Sequence, residues 1–166
     1  GDEVIFFTPF FPEYFFYTDN HSGVSKIIDS DDNFIPDLKS LDSNINSKTK
    51  AVIINSPNNP SGIVYDDDFY KQFSEILKKH ETLLNREIFV ISDEPYRRII
   101  FDDLDCPNIL DFHDNTIVAS SFSKDLAIPG ERIGYLGISP NIKNTEILMD
   151  GLVFANRVLG FVNAPA

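Results

Sequence analysis

Short apolar runs, each closed by polar residues or prolines, recur along the chain. Nearly continuous runs of this kind are typical of parallel strands that are covered on both faces. The predicted strands are residues 4–8, 24–28, 51–55, 87–92, 116–120 and 133–138.

Helix signals lie between most of these runs. The longest such segment, 66–84, places Phe69, Phe73 and Leu77 at helical spacing behind a run of aspartates, which favour the positive end of a helix. The other predicted helices are 12–17, 35–41 and 144–159. Strands that alternate with helices predict an α/β domain of three layers, α/β/α, around a mostly parallel sheet.

Composition narrows the possible partners. The chain has 166 residues, and 14 Lys and Arg against 26 Asp and Glu give a net charge of −12. An acidic surface argues against nucleic acid and anionic membranes as main partners, although it leaves room for one local basic pocket. The single cysteine, Cys106, excludes an intrachain disulfide and suits a reducing compartment.

The two ends of the sequence give further expectations. No apolar run reaches membrane-spanning length, and the N-terminus lacks the basic region of a signal peptide, so we expect a cytoplasmic protein. The chain opens directly on a strand pattern and stops at VNAPA without a finishing element. We therefore expect a piece of a longer protein.

Polar residues follow three of the predicted strands. Asn59 comes after 51–55 and Asp93 after 87–92, while Ser121, Ser123 and Lys124 come after 116–120. Ligands of parallel α/β sheets bind beyond the carboxyl ends of the strands. These side chains therefore predict a binding site at that edge.

The residue types at this edge indicate one kind of ligand. An unprotonated lysine such as Lys124 forms Schiff bases with carbonyls, and Arg132 has a donor fork that suits phosphate. Asp93 can hold a protonated ring nitrogen, and Tyr96 and Asn59 can bond a ring oxygen. Together these features describe pyridoxal 5′-phosphate, which carries an aldehyde, a phosphate, a pyridinium and a phenolate.

Each of these residues taken alone has a commoner explanation, such as a solvated lysine, a surface ion pair or a helix cap. Their joint position at one edge is what predicts the cofactor. No metal site is predicted, because the acidic runs at 66–68 and 102–105 suit a helix start and a solvated loop and show no ligand spacing.

Four motifs in order resemble a known family. They are GDEVIFFTPFFPEY, NSPNNPSG, SDEPYRRI and SSFSKDLAIPGERIGYL. The set is similar to the motifs of fold-type I, class I/II aminotransferases of the aspartate aminotransferase superfamily. It covers nearly the whole chain.

The resemblance implies a role for each matching residue. Lys124 would form the internal aldimine with the cofactor and then act as the base that moves the substrate's α-proton. Asp93 would pair with the pyridine nitrogen, and Tyr96 and Asn59 would bond the phenolic oxygen. Phe11 would stack on the ring.

The resemblance also implies the phosphate site and what surrounds this segment. Ser121, Ser123 and Arg132 would hold the phosphate. The family's glycine-rich phosphate turn and its substrate-carboxylate arginine have no counterpart in the sequence. Residues 1–166 would then be the central part of the large domain, without an N-terminal segment and the C-terminal small domain, of an enzyme that is usually a homodimer.

The expected function is therefore pyridoxal-phosphate-dependent transfer of an amino group between an amino acid and a keto acid. A C–S β-lyase or a cyclopropane-forming synthase on the same fold stays open, because the same lysine and aspartate serve those reactions. A fragment that binds cofactor weakly or not at all also stays open. A Rossmann-type nucleotide binder has less support, since no G-x-G-x-x-G follows a predicted strand.

Overall fold

The computed structural model of the chain describes residues 1–158. Its centre is a six-stranded sheet of order β2-β1-β3-β4-β5-β6. The strands are β1 (Glu3–Phe7), β2 (Val24–Ile28), β3 (Thr49–Asn55), β4 (Phe89–Asp93), β5 (Thr116–Ser121) and β6 (Gly134–Ile138). Neighbouring strands are parallel except for the β5–β6 pair, which is antiparallel, so the predicted mostly parallel sheet is confirmed.

Helices connect the strands and cover the sheet. They are α1 (Glu13–Asp19), α2 (Leu38–Asn44), α3 (Asp67–Leu84), α4 (Phe122–Asp125) and α5 (Thr145–Val158), with 3-10 turns at Ile109–Asp111 and Pro129–Glu131. All predicted strands and helices are present with shifted bounds, and α4 is an addition. The predicted end of the last helix, Leu159, lies outside the described residues.

Helix starts follow local capping chemistry. The Asp66 side chain accepts a hydrogen bond from the amide of Phe69 and caps α3, and Asp37 caps α2 through the amides of Lys39 and Ser40. The aspartates at 66–68 therefore belong to a helix start, as predicted. No helix among residues 1–158 is long and apolar enough to cross a membrane.

The core lies on both faces of the sheet. On one face, Ile5 and Val52 belong to a cluster of buried residues with Phe73 and Leu77 of α3. On the other face, Phe6 and its neighbours on β3 pack with the start of α1. Alternate residues of a strand point to opposite faces, so each central strand feeds both layers.

The β5–β6 pair depends on a glycine. Gly134 pairs with Ser121, and a Cβ at position 134 would lie 2.5 Å from the backbone oxygen of Ser120. A side chain does not fit at that distance. Gly134 thus allows the antiparallel strand to lie against the end of β5, directly beside the residues that lead to α4.

Candidate active site

The carboxyl ends of β3, β4 and β5 lie side by side. Asn55, the last residue of β3, pairs with Asp93, the last residue of β4, and Asp93 pairs with Ala119 of β5. The backbone therefore brings the predicted strand ends to one edge of the sheet, and Asp93 stands in the middle of it.

Asp93 is held by a tyrosine from α1. The buried Tyr14 donates its phenol hydrogen to Asp93 Oδ2 at 2.7 Å. Burial raises the pKa of Asp93, and the bond from Tyr14 offsets part of that increase because it favours the carboxylate. Burial also raises the pKa of Tyr14 far above its usual range, and the Asp93 carboxylate adds to the effect.

Tyr14 is a functional candidate that we did not predict. It lies three residues after Phe11 in the motif PFFPEY, at the first turn of α1. Residues at this spacing share one face of a helix, which was the only signal available in the sequence. Phe11 is half-buried, and its ring meets the Tyr14 ring edge to face, with centroids 6.0 Å apart.

Asn59 is anchored through a second asparagine. Asn55 is buried, donates its side-chain amide to the backbone oxygen of Asp93 at 2.7 Å, and accepts from the Asn59 amide at 2.6 Å. The loop after β3 is thereby fixed to the end of β4. Asn55 was also absent from the predicted set, since its place inside an apolar run gave it a purely structural appearance.

Lys124 and Tyr96 come together from separate strands. The lysine lies on α4 after β5, the tyrosine on the turn after β4, and the ammonium nitrogen is 5.8 Å from the centre of the tyrosine ring. This distance is within the range of a cation–π contact. Sequence reasoning favoured a buried reactive lysine, but Lys124 is exposed and Tyr96 only half-buried. The lysine amine is accessible from solvent because α4 is a single short turn at the rim of the sheet.

The predicted phosphate residues are less closely gathered. Ser121 and Ser123 are half-buried at the junction of β5 and α4. Arg132 is exposed, has left-handed backbone geometry, and donates to the backbone oxygen of Pro129 at 3.1 Å. Among the described residues, the structure shows no hydrogen bond from Arg132 to either serine.

Arg132 nevertheless acts electrostatically on the same end of the sheet as Asp93. A hydrogen bond to Glu13 raises the pKa of Tyr17 to about 12, the Asp93 charge adds to that increase, and the Arg132 charge offsets part of it. Both charges therefore lie close enough to influence one phenol. Within residues 1–158, no group of three or more His, Cys, Asp or Glu side chains is arranged to hold a metal ion.

Sequence comparison assigns the chain to a family. The family model described as aminotransferase class I and II matches residues 1–159. The chain belongs to this family. It is 37% identical over 153 residues to a probable aspartate aminotransferase of Methanocaldococcus jannaschii, covering 92% of this chain and 39% of that protein. It is 36% identical over 141 residues to an aspartate aminotransferase of Thermotoga maritima, covering 82% of this chain and 36% of that protein.

Solved structures of aminotransferases share the fold. An amino transferase from Eubacterium rectale superposes with a TM-score of 0.95 at 41% identity, covering 99% of this chain and 42% of that one. The aspartate aminotransferase of Thermotoga maritima gives a TM-score of 0.82 at 32% identity, covering 98% and 42%. This aminotransferase chain thus spans about two fifths of the length of the relatives it matches.

Proposed function

We propose that this chain is the central part of the cofactor-binding large domain of a pyridoxal-phosphate-dependent aminotransferase. The observation that carries the proposal is the pairing of Asp93 with Tyr14 at the strand edge next to Lys124 and Tyr96. Membership of the aminotransferase family and the names of the relatives support it. An N-terminal segment and a C-terminal small domain, by this proposal, complete the enzyme.

The donor set fits the cofactor. Asp93 is a largely buried carboxyl whose pKa is raised because burial disfavours its charge. A protonated ring nitrogen beside it supplies the missing positive partner. Tyr96 and Asn59 offer neutral donors for a ring oxygen, and Ser121 with Arg132 offers a hydroxyl and a guanidinium for phosphate.

Each residue then has a defined task. When bound, pyridoxal phosphate supplies an aldehyde and an electron-withdrawing ring. Lys124 holds the aldehyde carbon through Nζ and, once free, carries a proton from the α-carbon of the amino acid. Asp93 keeps the proton on the ring nitrogen, and Tyr14 orients the Asp93 carboxylate.

The remaining residues bind and orient. Phe11 packs against the face of the ring, Asn59 and Tyr96 donate to the ring oxygen, and Ser121, Ser123 and Arg132 bind the phosphate. The substrates are an amino acid and a keto acid. A homodimeric, cytoplasmic enzyme is part of the same proposal.

A half-reaction separates this function from its rivals. The protein is loaded with pyridoxal phosphate and mixed with aspartate or alanine in the absence of a keto acid. We expect one equivalent of keto acid and one equivalent of aminated cofactor, and neither product in Lys124→Ala. Release of ammonia and pyruvate from a sulfur-containing amino acid would instead indicate a β-lyase. No product from any amino acid, with cofactor bound, would contradict the aminotransferase proposal.

A further inference from the structure

A buried ion pair lies directly behind the candidate active site. The side chain of Glu94, the residue after Asp93, is buried although it is ionisable. Ser92 Oγ donates to Glu94 Oε1 at 2.7 Å, and Arg97 Nη1 lies 3.4 Å from Oε2. Burial raises the pKa of Glu94, while the bonds from Ser92 and Arg97 lower it. A buried carboxylate is tolerated only when it is paired in this way.

The backbone of Glu94 is bonded to the strand that leads to the lysine. Its amide donates to the backbone oxygen of Ala119 at 2.8 Å, and its own backbone oxygen accepts from Ser120 Oγ at 3.1 Å. Ala119 and Ser120 are residues of β5, which runs directly into α4 and Lys124. Glu94 therefore joins the turn after β4 to the end of β5.

Arg97 joins the same turn to the core. Its Nη2 donates to the backbone oxygen of Cys106 at 2.7 Å, and its Nη1 donates to that of Pro107 at 3.0 Å. These residues lead into a 3-10 turn whose first residue, Ile109, is fully buried in the core. The planar fork of arginine makes such a divided contact, which a lysine ammonium cannot reproduce.

Tyr96 lies between these two anchored residues. Its backbone oxygen accepts from the Ile99 amide at 2.7 Å, which closes the turn. The ring that faces Lys124 is thus carried by a turn with Glu94 fixed on one side and Arg97 on the other. A change in either anchor moves the ring relative to the lysine amine.

We propose that Glu94 and Arg97 are positioning residues that hold Tyr96 against Lys124 and thereby set the properties of the cofactor bound to that lysine. They act through Tyr96 and through the end of β5, without touching the cofactor. The proposal rests on the proposed function, because it assumes that pyridoxal phosphate binds at Lys124.

The test compares Glu94→Gln and Arg97→Lys with a matched control. Glu3→Gln also removes a mostly buried carboxylate from an ion pair, since Glu3 lies 3.5 Å from Lys26 and accepts from Asn46 at 2.8 Å. Glu3 begins β1 and lies at the opposite, amino-terminal edge of the sheet. It therefore reports the effect of losing a buried pair without any effect on the candidate site.

The main readout is the pH at which the visible band of the bound cofactor changes. We expect Glu94→Gln and Arg97→Lys to move this midpoint by about 0.5 or more, and Glu3→Gln to leave it in place. Tyr96→Phe should also move it, and its effect should be much smaller in the Glu94→Gln background, because coupled residues are not additive. Without cofactor, the Ile99 amide should exchange faster in Glu94→Gln than in Glu3→Gln.

Each outcome decides the proposal. Midpoints that match the Glu3→Gln control, or additive effects of Glu94→Gln and Tyr96→Phe, overturn the positioning role. If Glu94→Gln does not fold, Arg97→Lys alone decides, because it keeps the charge and removes only the divided contact. Absence of cofactor from Lys124 in the unmodified protein overturns the proposed function and this inference together, whereas cofactor on Lys124 with unmoved midpoints overturns this inference alone.

Discussion

Replacing Tyr14 by Phe removes one hydrogen bond and leaves the packing of the ring in place. The lost bond, 2.7 Å from the phenol to Asp93 Oδ2, is largely sheltered from water because Tyr14 is only 5% exposed. Bonds to a charged group contribute about 1.5–3 kcal/mol, and bonds between neutral groups about 0.5–1.5 kcal/mol. We therefore expect Tyr14→Phe to lower the free energy of unfolding by about 2 kcal/mol at neutral pH.

The pH dependence of this loss identifies its cause. The pKa of Asp93 is already raised in the folded state, so its ionisation opposes folding: the stability it contributes is present at low pH and is lost as the pH rises through the folded pKa. Tyr14→Phe raises this pKa further, because it removes a donor to the carboxylate. At about pH 4 Asp93 is mostly protonated in both proteins, and the loss should shrink to about 1 kcal/mol.

Urea unfolding at neutral pH and at about pH 4 measures both values. Tyr17→Phe is the matched control, because Tyr17 is exposed and donates at 2.6 Å to Glu13 on the surface of the same helix. That change should stay within about 0.5 kcal/mol. A loss for Tyr14→Phe that is equal at both pH values, or no larger than that of Tyr17→Phe, would refute the reasoning.

Two further substitutions test the site and its frame. Asp93→Asn should raise the melting temperature of the cofactor-free protein at neutral pH, with no gain at about pH 4, because it removes a largely buried charge, and it should weaken pyridoxal phosphate binding about tenfold or more; a lower melting temperature with unchanged affinity would contradict this. Gly134→Val should loosen the β5–β6 pair and speed amide exchange in residues 134–138, because its Cβ would meet the Ser120 oxygen at 2.5 Å, whereas Gly137→Ala, with 3.8 Å to its nearest neighbour, should not; equal exchange in both variants would contradict the steric argument.

The sheet was predictable because its strands are buried on both faces. Runs such as AVIIN have no solvated face and few alternatives to a central parallel strand. The direction of β6 was not predictable, since it depends on the close approach at Gly134 rather than on a periodic pattern. Helix α4 was missed because a single turn of four residues gives no hydrophobic period.

The site was predictable at the level of the backbone and less so at the level of side chains. Strand order places Asp93 between the ends of β3 and β5, and residues that follow apolar runs reach the same edge whatever their neighbours. Tyr14, Asn55 and Glu94 were missed because their roles depend on contacts between residues far apart in sequence. The exposure of Lys124 likewise follows from where α4 ends, which the sequence motif does not state.

The central claim is that Lys124 is the residue that binds pyridoxal phosphate. The direct measurement is to mix the protein with pyridoxal phosphate, reduce it with borohydride, and locate the modified lysines by mass spectrometry. The account predicts one adduct, on Lys124, which is lost in Lys124→Ala and kept in Lys143→Ala, a control lysine whose side chain is 81% exposed. No adduct, or labelling scattered over many lysines, would contradict the account.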